Sequence, residues 1–251
     1  KDCTPETFFQ RMKAGAEIST SQPAPEEITS LWDTLLKTHD AVLHFPMSSG
    51  LSGSCHTAKA LAQEYGGRVL VVDDRRISVT LAQSIRNAQA LLAQGKTAAE
   101  VRDILEAERD ASSIYIAVNT LEYLRKSGRV TAAGAAMAAV LHIKPVLQIQ
   151  GGKLDAYKKV RGMLQAKKTL LGALRHDLAT RFSGMKMAVF SGYSGGDLLA
   201  RQLISALNMN KSFYLPPRFS LLETANERGS LVKLPGIEAQ AAAFARHIAE
   251  S

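Results

Sequence analysis

The segment that decides the fold is Ala41-Val-Leu-His-Phe-Pro-Met-Ser-Ser-Gly-Leu-Ser-Gly-Ser54. It joins an apolar strand, Ala41 to Phe45, to a loop with serines at 48, 49, 52 and 54, after which Ala58 and Leu61 resume a helical spacing. Strands that lead directly into helices build open parallel sheets, which bind ligands where their strands end. Free backbone N–H groups and the helix dipole favour an anion there. From spacing alone, an anion site and an ordinary helix-start loop are equal alternatives.

Strands and helices alternate on both sides of this segment. A β-branched strand is predicted at Arg68–Val72, and the other predicted elements are helices. The helices start at Pro5, at Pro25, at Ser78 (ending at Gly95) and at the Thr97–Glu100 capping box. Short connections between alternating elements indicate a parallel sheet with crossover helices. We therefore predict an N-terminal α/β domain over residues 1–110.

The pattern changes near Ala111. Two strands, Pro145–Ile149 and Leu154–Val160, flank Gln150-Gly151-Gly152 and predict a β-hairpin. The other predicted elements are a strand at Ile114–Val118, helices at Leu121–Lys126 and Thr131–Leu141, a long helix to about Phe182, a strand at Met187–Phe190, and helices at Gly195–Leu207 and Glu238–Ala249. We therefore predict a C-terminal α+β domain over residues 111–251.

Composition excludes several classes of protein. With 46% hydrophobic and 22% charged residues, the 251-residue chain is expected to fold rather than to be disordered. The longest apolar run, Ala132 to Leu141, is half the roughly 20 residues that a membrane span needs. Two cysteines, Cys3 and Cys55, cannot form a disulfide framework, which favours a reducing compartment and a cytoplasmic protein.

The net charge of +8 is concentrated between Gly151 and Arg181. In that segment Lys158, Arg161, Lys168 and Arg175 follow a helical spacing and would form one basic face. Such a face is either solvated surface or a docking surface for an acidic partner, and the two alternatives stay open here. A nucleic-acid-binding regulator is the alternative function that the charge suggests. Its weakness is the lack of interleaved aromatic residues, since the basic segment holds only Tyr157.

Catalytic and cofactor motifs are absent from the sequence. The serine loop matches neither GxGxxG, nor the P-loop, nor GxSxG, and the six histidines show no metal spacing. A serine hydrolase at Ser48 or Ser49 would need a histidine partner that the spacing does not locate. Asp73-Asp74 could hold a metal, but capping of the following turn is the favoured interpretation. The small side chains of the alanine-rich helix would allow either close helix packing or an apolar ligand pocket beside it. Close packing is the favoured interpretation.

Four motifs in one order resemble the DegV family of bacterial fatty-acid-binding proteins, which includes the lipid-binding subunits of fatty acid kinase. The motifs are Thr20-Ser21-Gln22-Pro23, Ser48 to Ser54, Leu121 to Val130, and Ile143 to Leu147. The resemblance extends from Lys1 to about Arg181.

The resemblance implies a specific function. An acyl chain would be buried between the two domains, with the alanine-rich helix as one wall of its tunnel. Hydroxyl groups of the TSxP and SSGLSG motifs would hold the carboxylate, which assigns Thr20 and Ser49 to it with Ser21 and Ser48 as neighbours. The chain itself would not be an enzyme and would need neither cofactor nor metal. A separate kinase would phosphorylate the presented carboxylate.

Two departures from the family pattern bear on the expected fold and site. The family's first strand has no counterpart before Lys1, so we expect one strand of the parallel sheet to be absent. Leu221 to Pro235 contains no His-x-Gly-Pro-Gly segment, so no carboxylate contact is carried over from that end of the chain.

Overall fold

The structure is a computed structural model that describes residues 4–17, 19–118, 120–137, 143–183, 187–189 and 212–214. Its helices are α1 Pro5–Lys13, α2 Pro25–Leu35, α3 Ser54–Ala62, α4 Ser78–Ala93, α5 Ala98–Ala107, α6 Glu122–Ser127, α7 Ala132–Ala136 and α8 Gly162–Ala179. Its strands are β1 Val42–His44, β2 Val69–Val71, β3 Ile114–Ala117, β4 Ile143–Gln150, β5 Lys153–Arg161, β6 Met187–Val189 and β7 Ser212–Tyr214. The helices predicted at Gly195–Leu207 and Glu238–Ala249 lie outside the described residues.

The first part of the chain forms a parallel sheet packed between helices. β1 and β2 pair in parallel, with Val42 opposite Val69. One cluster of buried side chains, centred on Trp32, joins α2 and α3 to the sheet, and a second joins α4 and α5 through Leu91 and Leu105. Helix α5 begins at the predicted capping box, where the Thr97 hydroxyl accepts from the Glu100 backbone N–H. The predicted α/β class is confirmed.

The second part contains an antiparallel sheet in the order β3-β4-β5. The predicted hairpin between β4 and β5 is confirmed, and its turn residues Gly151 and Gly152 have φ of 67° and 91°. Helix α8 packs on this sheet through a buried face of small and polar side chains. The face consists of Ala166, Thr169, Ala173 and Asp177. The Asp177 carboxylate accepts a 2.8 Å hydrogen bond from the Tyr115 hydroxyl, which fixes the helix on β3.

The prediction that the four basic residues share one helix is wrong. β5 continues to Arg161 because it pairs along the whole of β4, with Arg161 opposite Ile143. Lys158 therefore lies in a strand, Arg161 precedes the first helical residue, and only Lys168 and Arg175 lie on α8. Leu164, in the first turn of α8, is 70% exposed.

The described part of the alanine-rich helix packs closely at its glycine. Thr131 caps α7 by accepting from the Gly134 N–H at 3.2 Å, and its own hydroxyl donates to the Asp155 carboxylate. A Cβ on Gly134 would lie 2.4 Å from a Val130 methyl and 3.6 Å from the Ala156 backbone nitrogen. Gly134 is thus closely packed, whereas Ala132, Ala133 and Ala136 are exposed, and residues 138–142 lie outside the description.

The segment between α5 and β3 divides the elements of the parallel sheet from those of the antiparallel sheet along the chain. It contains the predicted boundary at residues 110 and 111. They are joined in space, because Leu51 and Ile77 pack against the cluster that contains Leu147 and Leu154. A third, two-stranded sheet pairs β6 with β7 in parallel. Among the described residues, no helix is both long and apolar enough to cross a membrane.

Candidate functional site

The serine loop follows β1 and rests on the turn of the β4–β5 hairpin. The Ser48 side chain is 2% exposed, and its Oγ donates to the Gly152 carbonyl at 2.8 Å while accepting from the Gly50 N–H at 3.3 Å. The Ser48 N–H donates to the Arg76 carbonyl at 3.0 Å. Since a hydroxyl carries one hydrogen, this arrangement leaves none on Ser48 for a ligand. Ser48 therefore holds the loop against the hairpin.

Two glycines of the loop allow close contact with other parts of the chain. A Cβ on Gly50 would lie 2.5 Å from the Gly152 carbonyl oxygen, and a Cβ on Gly53 would lie 3.2 Å from Gln22 Oε1. The close approach observed at both positions is thus between segments of the protein. It shapes the loop by packing it between the hairpin and the segment that contains Thr20.

The TSxP segment lies beside the start of α3, next to the serine loop. The Gln22 side chain and the Thr57 hydroxyl exchange two hydrogen bonds, at 3.0 and 3.2 Å. From the other side, Arg129 Nη2 donates to the Thr20 carbonyl at 3.4 Å. Three of the four motifs are therefore brought together, although Thr20 and Arg129 are 109 residues apart.

Ser49 is exposed in the loop that follows β1, and Asp73 lies beyond the end of β2. Because parallel neighbours end at the same edge of a sheet, the residues that follow β1 and β2 meet there. Lys59 Nζ is 3.1 Å from Asp73 Oδ2. Burial raises the pKa of Asp73, but hydrogen bonds from Lys59 and Ser49 outweigh it and hold that pKa below its ordinary value.

Cys55 adjoins the same carboxylate. Burial, with the negative charge of Asp73, raises the pKa of its thiol to about 11, so the thiol is protonated at neutral pH. A protonated thiol is a poor nucleophile. Within the described residues, no histidine side chain hydrogen-bonds to Ser48 or Ser49.

Asp74 caps the turn that follows β2. Its Oδ1 accepts from the Arg76 N–H at 3.1 Å, and its Oδ2 accepts from the buried Ser84 hydroxyl. The favoured interpretation of this aspartate as a turn cap is confirmed. The turn holds Arg75 at a φ of 56°, and the Arg75 side chain adjoins Gly152 of the hairpin.

The structure brings some of the predicted residues together and separates others. Thr20, Ser21 and Ser49 are exposed in the region of the loop, whereas Ser48 is buried beneath it. The predicted docking residues are all exposed, on β5 and α8. They are Lys158, Arg161, Lys168 and Arg175.

Two residues of the site were not predicted from the sequence. Arg129 stands in the third motif, and its guanidinium places a cation beside Thr20. Asp73 follows a β-branched strand that neighbours the loop, and the rule that parallel strands end together could have indicated it.

These features define a class of protein: a mixed α/β chain with one parallel and one antiparallel sheet, joined where a hydroxyl-rich loop meets a hairpin. A family model described as "Uncharacterised protein, DegV family" matches residues 1–212. The chain belongs to the DegV family.

Relatives and solved structures agree with that assignment. A DegV domain-containing protein of Deinococcus radiodurans is 34% identical over 189 residues, which cover 75% of this chain and 67% of the relative. One from Staphylococcus aureus is 28% identical, and the match covers 64% of this chain but only 57% of the relative's length. The structure of a fatty-acid-binding DegV family protein from Thermus thermophilus has a TM-score of 0.71 at 32% identity, covering 86% of this chain and 78% of that one. A Thermotoga maritima protein whose structure revealed a fatty-acid-binding function has a TM-score of 0.63 at 27% identity, covering 80% and 70%.

Proposed function

We propose that this chain is a cytoplasmic carrier that binds one long-chain fatty acid and presents its carboxylate to a separate kinase. The observation that carries the proposal is the meeting of the Thr20 segment, the Ser49 loop and Arg129 at one edge of the parallel sheet. Two hydroxyls and a guanidinium suit a carboxylate, because charge-assisted hydrogen bonds are stronger than neutral ones. The fatty acids bound by the Thermus and Thermotoga relatives support this ligand class.

The acyl chain would supply most of the affinity. Burying about 14 methylenes at ~0.8 kcal/mol each gives a gross gain near ~11 kcal/mol, before the costs of association. A carboxylate at a helix N-terminus adds only ~0.3–2 kcal/mol. Leu51 of the serine loop supports an apolar path away from the head group, since it packs into the cluster around Leu147.

Occupancy is tested on the purified protein. We expect native mass spectrometry to find a stoichiometric fatty acid, because its burial outweighs the head-group contacts. After delipidation, incubation with hexadecanoate should restore a 1:1 complex. A protein that carries no lipid and takes up none after incubation would overturn the proposal.

The head group is tested by removing single hydroxyls. Thr20→Val and Ser49→Ala should each weaken hexadecanoate binding about ten- to a hundredfold, as expected for a charge-assisted hydrogen bond of ~1.5–3 kcal/mol. Ser52→Ala is the matched control in the same loop, since its hydroxyl accepts from the Ser54 N–H at 3.2 Å. Wild-type affinity in both test variants, measured by calorimetry, would place the polar anchor elsewhere.

Ser48 and Ser21 are assigned different supporting roles. Ser48→Ala should lower the free energy of unfolding by ~1–3 kcal/mol, because the buried Gly152 carbonyl loses its donor. Any change in fatty-acid affinity of this variant would come from displacement of the serine loop. Ser21, which is exposed beside Thr20, is proposed as a second donor to the carboxylate, so Ser21→Ala should reduce affinity less than Thr20→Val.

The kinase would transfer the terminal phosphoryl group of a nucleoside triphosphate to a carboxylate oxygen, giving an acyl phosphate and the nucleoside diphosphate. We propose that this kinase is an acidic protein and that it docks on four exposed basic residues of this chain, which are Lys158, Arg161, Lys168 and Arg175. Charge steering predicts an association rate that falls with salt.

This surface is tested with the cognate kinase by reversing two of its charges. Arg161→Glu with Lys168→Glu should abolish phosphorylation of bound fatty acid while leaving lipid binding intact. Arg102→Glu, a reversal at a partly exposed arginine paired with Asp103, serves as the control. Unchanged turnover of the double variant at low salt would show that the basic residues are only solvated surface.

A further inference from the structure

The segment that carries Thr20 is held to the rest of the protein by few contacts. Residues 19–23, here called the strap, have no regular secondary structure, and every one of them is exposed. To the described part of the chain the strap makes three hydrogen bonds. Two join the Gln22 side chain to the Thr57 hydroxyl, at 3.0 and 3.2 Å, and one is donated by Arg129 Nη2 to the Thr20 carbonyl at 3.4 Å.

The serine loop, on the other side of the site, is held more firmly. Ser48 is buried against the hairpin, and Leu51 packs into the apolar cluster that contains Leu147. Local opening occurs at the lowest free energy where a segment has few buried apolar contacts and its hydrogen bonds are exposed to solvent. By that criterion the strap is the part of the site that opens most easily.

A buried acyl chain can enter or leave only if one wall of its site moves. We propose that the strap is a lid, which opens to admit and release the fatty acid, and that the pair of Gln22 and Thr57 is the latch that holds it closed. Thr20 lies in the strap, so it reaches the carboxylate only in the closed state. This inference rests on the proposed function and adds to it the route by which the ligand exchanges.

The chemistry of the latch suits repeated opening. Gln22 Nε2 donates to Thr57 Oγ1, and the Thr57 hydroxyl donates to Gln22 Oε1, so one side chain satisfies both ends of the amide. Gln22 is exposed and Thr57 is partly exposed, so water can replace each hydrogen bond when the strap opens. Gly53 leaves room for the closed latch, since a Cβ at that position would lie 3.2 Å from Gln22 Oε1.

Thr57→Val removes both hydrogen bonds of the latch and leaves Thr20 and Ser49 unchanged. Because a lid limits entry and exit alike, we expect the association and dissociation rates of hexadecanoate to rise together by about three- to thirtyfold, with an unchanged dissociation constant. Stopped-flow transfer of the fatty acid to and from the whole chain measures both rates. Thr57→Ser keeps the hydroxyl, so it is the matched control and should exchange like the wild type.

A purely structural role for the latch predicts a different pattern. If Gln22 and Thr57 only position Thr20, their loss should raise the dissociation rate alone and weaken the affinity. Either that pattern or wild-type rates in Thr57→Val would overturn the proposal.

A covalent latch provides the converse test. Gln22→Cys and Thr57→Cys, combined with Cys3→Ser, can be joined by a short cleavable bis-maleimide, while Cys55 stays in place because it is buried. Cross-linking should slow hexadecanoate exchange by about tenfold or more relative to the untreated variant, and cleavage of the linker should restore it. The variant with Thr57→Cys but not Gln22→Cys, treated with the same reagent, is the control. Equal exchange before and after cross-linking would show that the strap is not a lid.

Failure of this inference can be told apart from failure of the proposed function. If the wild-type chain takes up no hexadecanoate, the proposed function fails and the lid fails with it. If the wild type binds hexadecanoate, but neither loss of the latch nor the cross-link changes the exchange rates, only the lid fails.

Discussion

The parallel and antiparallel parts of the molecule are stabilised in different ways. The parallel sheet has strands of three residues, and its stability comes from apolar clusters between the strands and helices α2 to α5. In the antiparallel sheet, strands of eight and nine residues pair along their whole length with one register shift, β3 adds four residues, and α8 covers the sheet partly through small side chains. The short strands place the candidate site residues at their ends, whereas the long hairpin supports the loop through Gly152.

Contact between the two parts combines a few polar groups with a few apolar ones. Ser48 with Gly152 and Arg129 with Thr20 form polar contacts, while Leu51 and Ile77 extend the apolar cluster of the antiparallel part into the parallel part. Substitutions inside either core should therefore affect folding, whereas substitutions at the contact should affect the placement of the loop. The following predictions test that distinction.

The largest effects are expected from cavities in the two cores. Leu91→Ala and Leu147→Ala, at side chains with no exposed surface, should each cost ~2–5 kcal/mol of unfolding free energy. Hydrogen exchange should show lost protection in β1 and β2 for the first variant and in β3 to β5 for the second. Equal loss of protection in both sheets for either variant would show a single cooperative unit and remove the contrast.

A smaller effect is expected from a methyl group at the contact. Gly152→Ala would place a Cβ 2.5 Å from Ser48 Oγ at a φ of 91°, and should cost ~1–3 kcal/mol and weaken fatty-acid binding. Gly151→Ala is the matched control, since φ is 67° there but no atom lies within 4 Å of the new Cβ. Calorimetry on both variants separates the effect of displacing the serine loop from the effect of backbone strain. Equal affinities of the two variants would contradict the role assigned to the hairpin.

The smallest effect concerns pH and the parallel part alone. Trp32 Nε1 donates to His44 Nδ1 at 3.3 Å, and burial lowers the pKa of His44 below its ordinary value. A pKa lower in the folded than in the unfolded state gives stability that is present above the unfolded value and lost as pH falls through the folded one. Stability should therefore decline below about pH 6.5, the ordinary histidine pKa. His44→Gln should flatten that decline, as followed by Trp32 fluorescence during denaturation, and an unchanged slope would assign the effect to other groups.

Local patterns were sufficient to predict most elements of the fold. Apolar strands, the Gly151-Gly152 turn and the Thr97 capping box each depend on residues close in sequence, so their chemistry can be recognised there. The end of β5 could not be seen in this way, because its pairing to Arg161 is dictated by the opposite strand. Counting the register outward from the turn along the eight residues of β4 reaches only Val160, and the register shift between Val146 and Leu147 moves the partner of Ile143 to Arg161.

The connections of the site could not be predicted from the sequence, which left an anion site and an ordinary helix-start loop as equal alternatives for the serine loop. Ser48 and Ser49 could not be told apart, since both are serines in one turn. Only the fold shows that Ser48 is buried against the hairpin and that Ser49 is exposed. Contacts such as that between Arg129 and Thr20 leave no periodic signal, because they depend on how the two sheets meet.

The hydrogen bond between Ser48 and Gly152 also affects the order of events during synthesis. The two residues are 104 positions apart, and a ribosome adds about 5–20 residues per second. The serine loop is thus made about 5–20 seconds before the turn that supports it. The parallel part can collapse during that interval, but the serine loop gains this support only when the hairpin arrives. A nascent chain halted before Gly152 would lack the hydrogen bond that holds the loop.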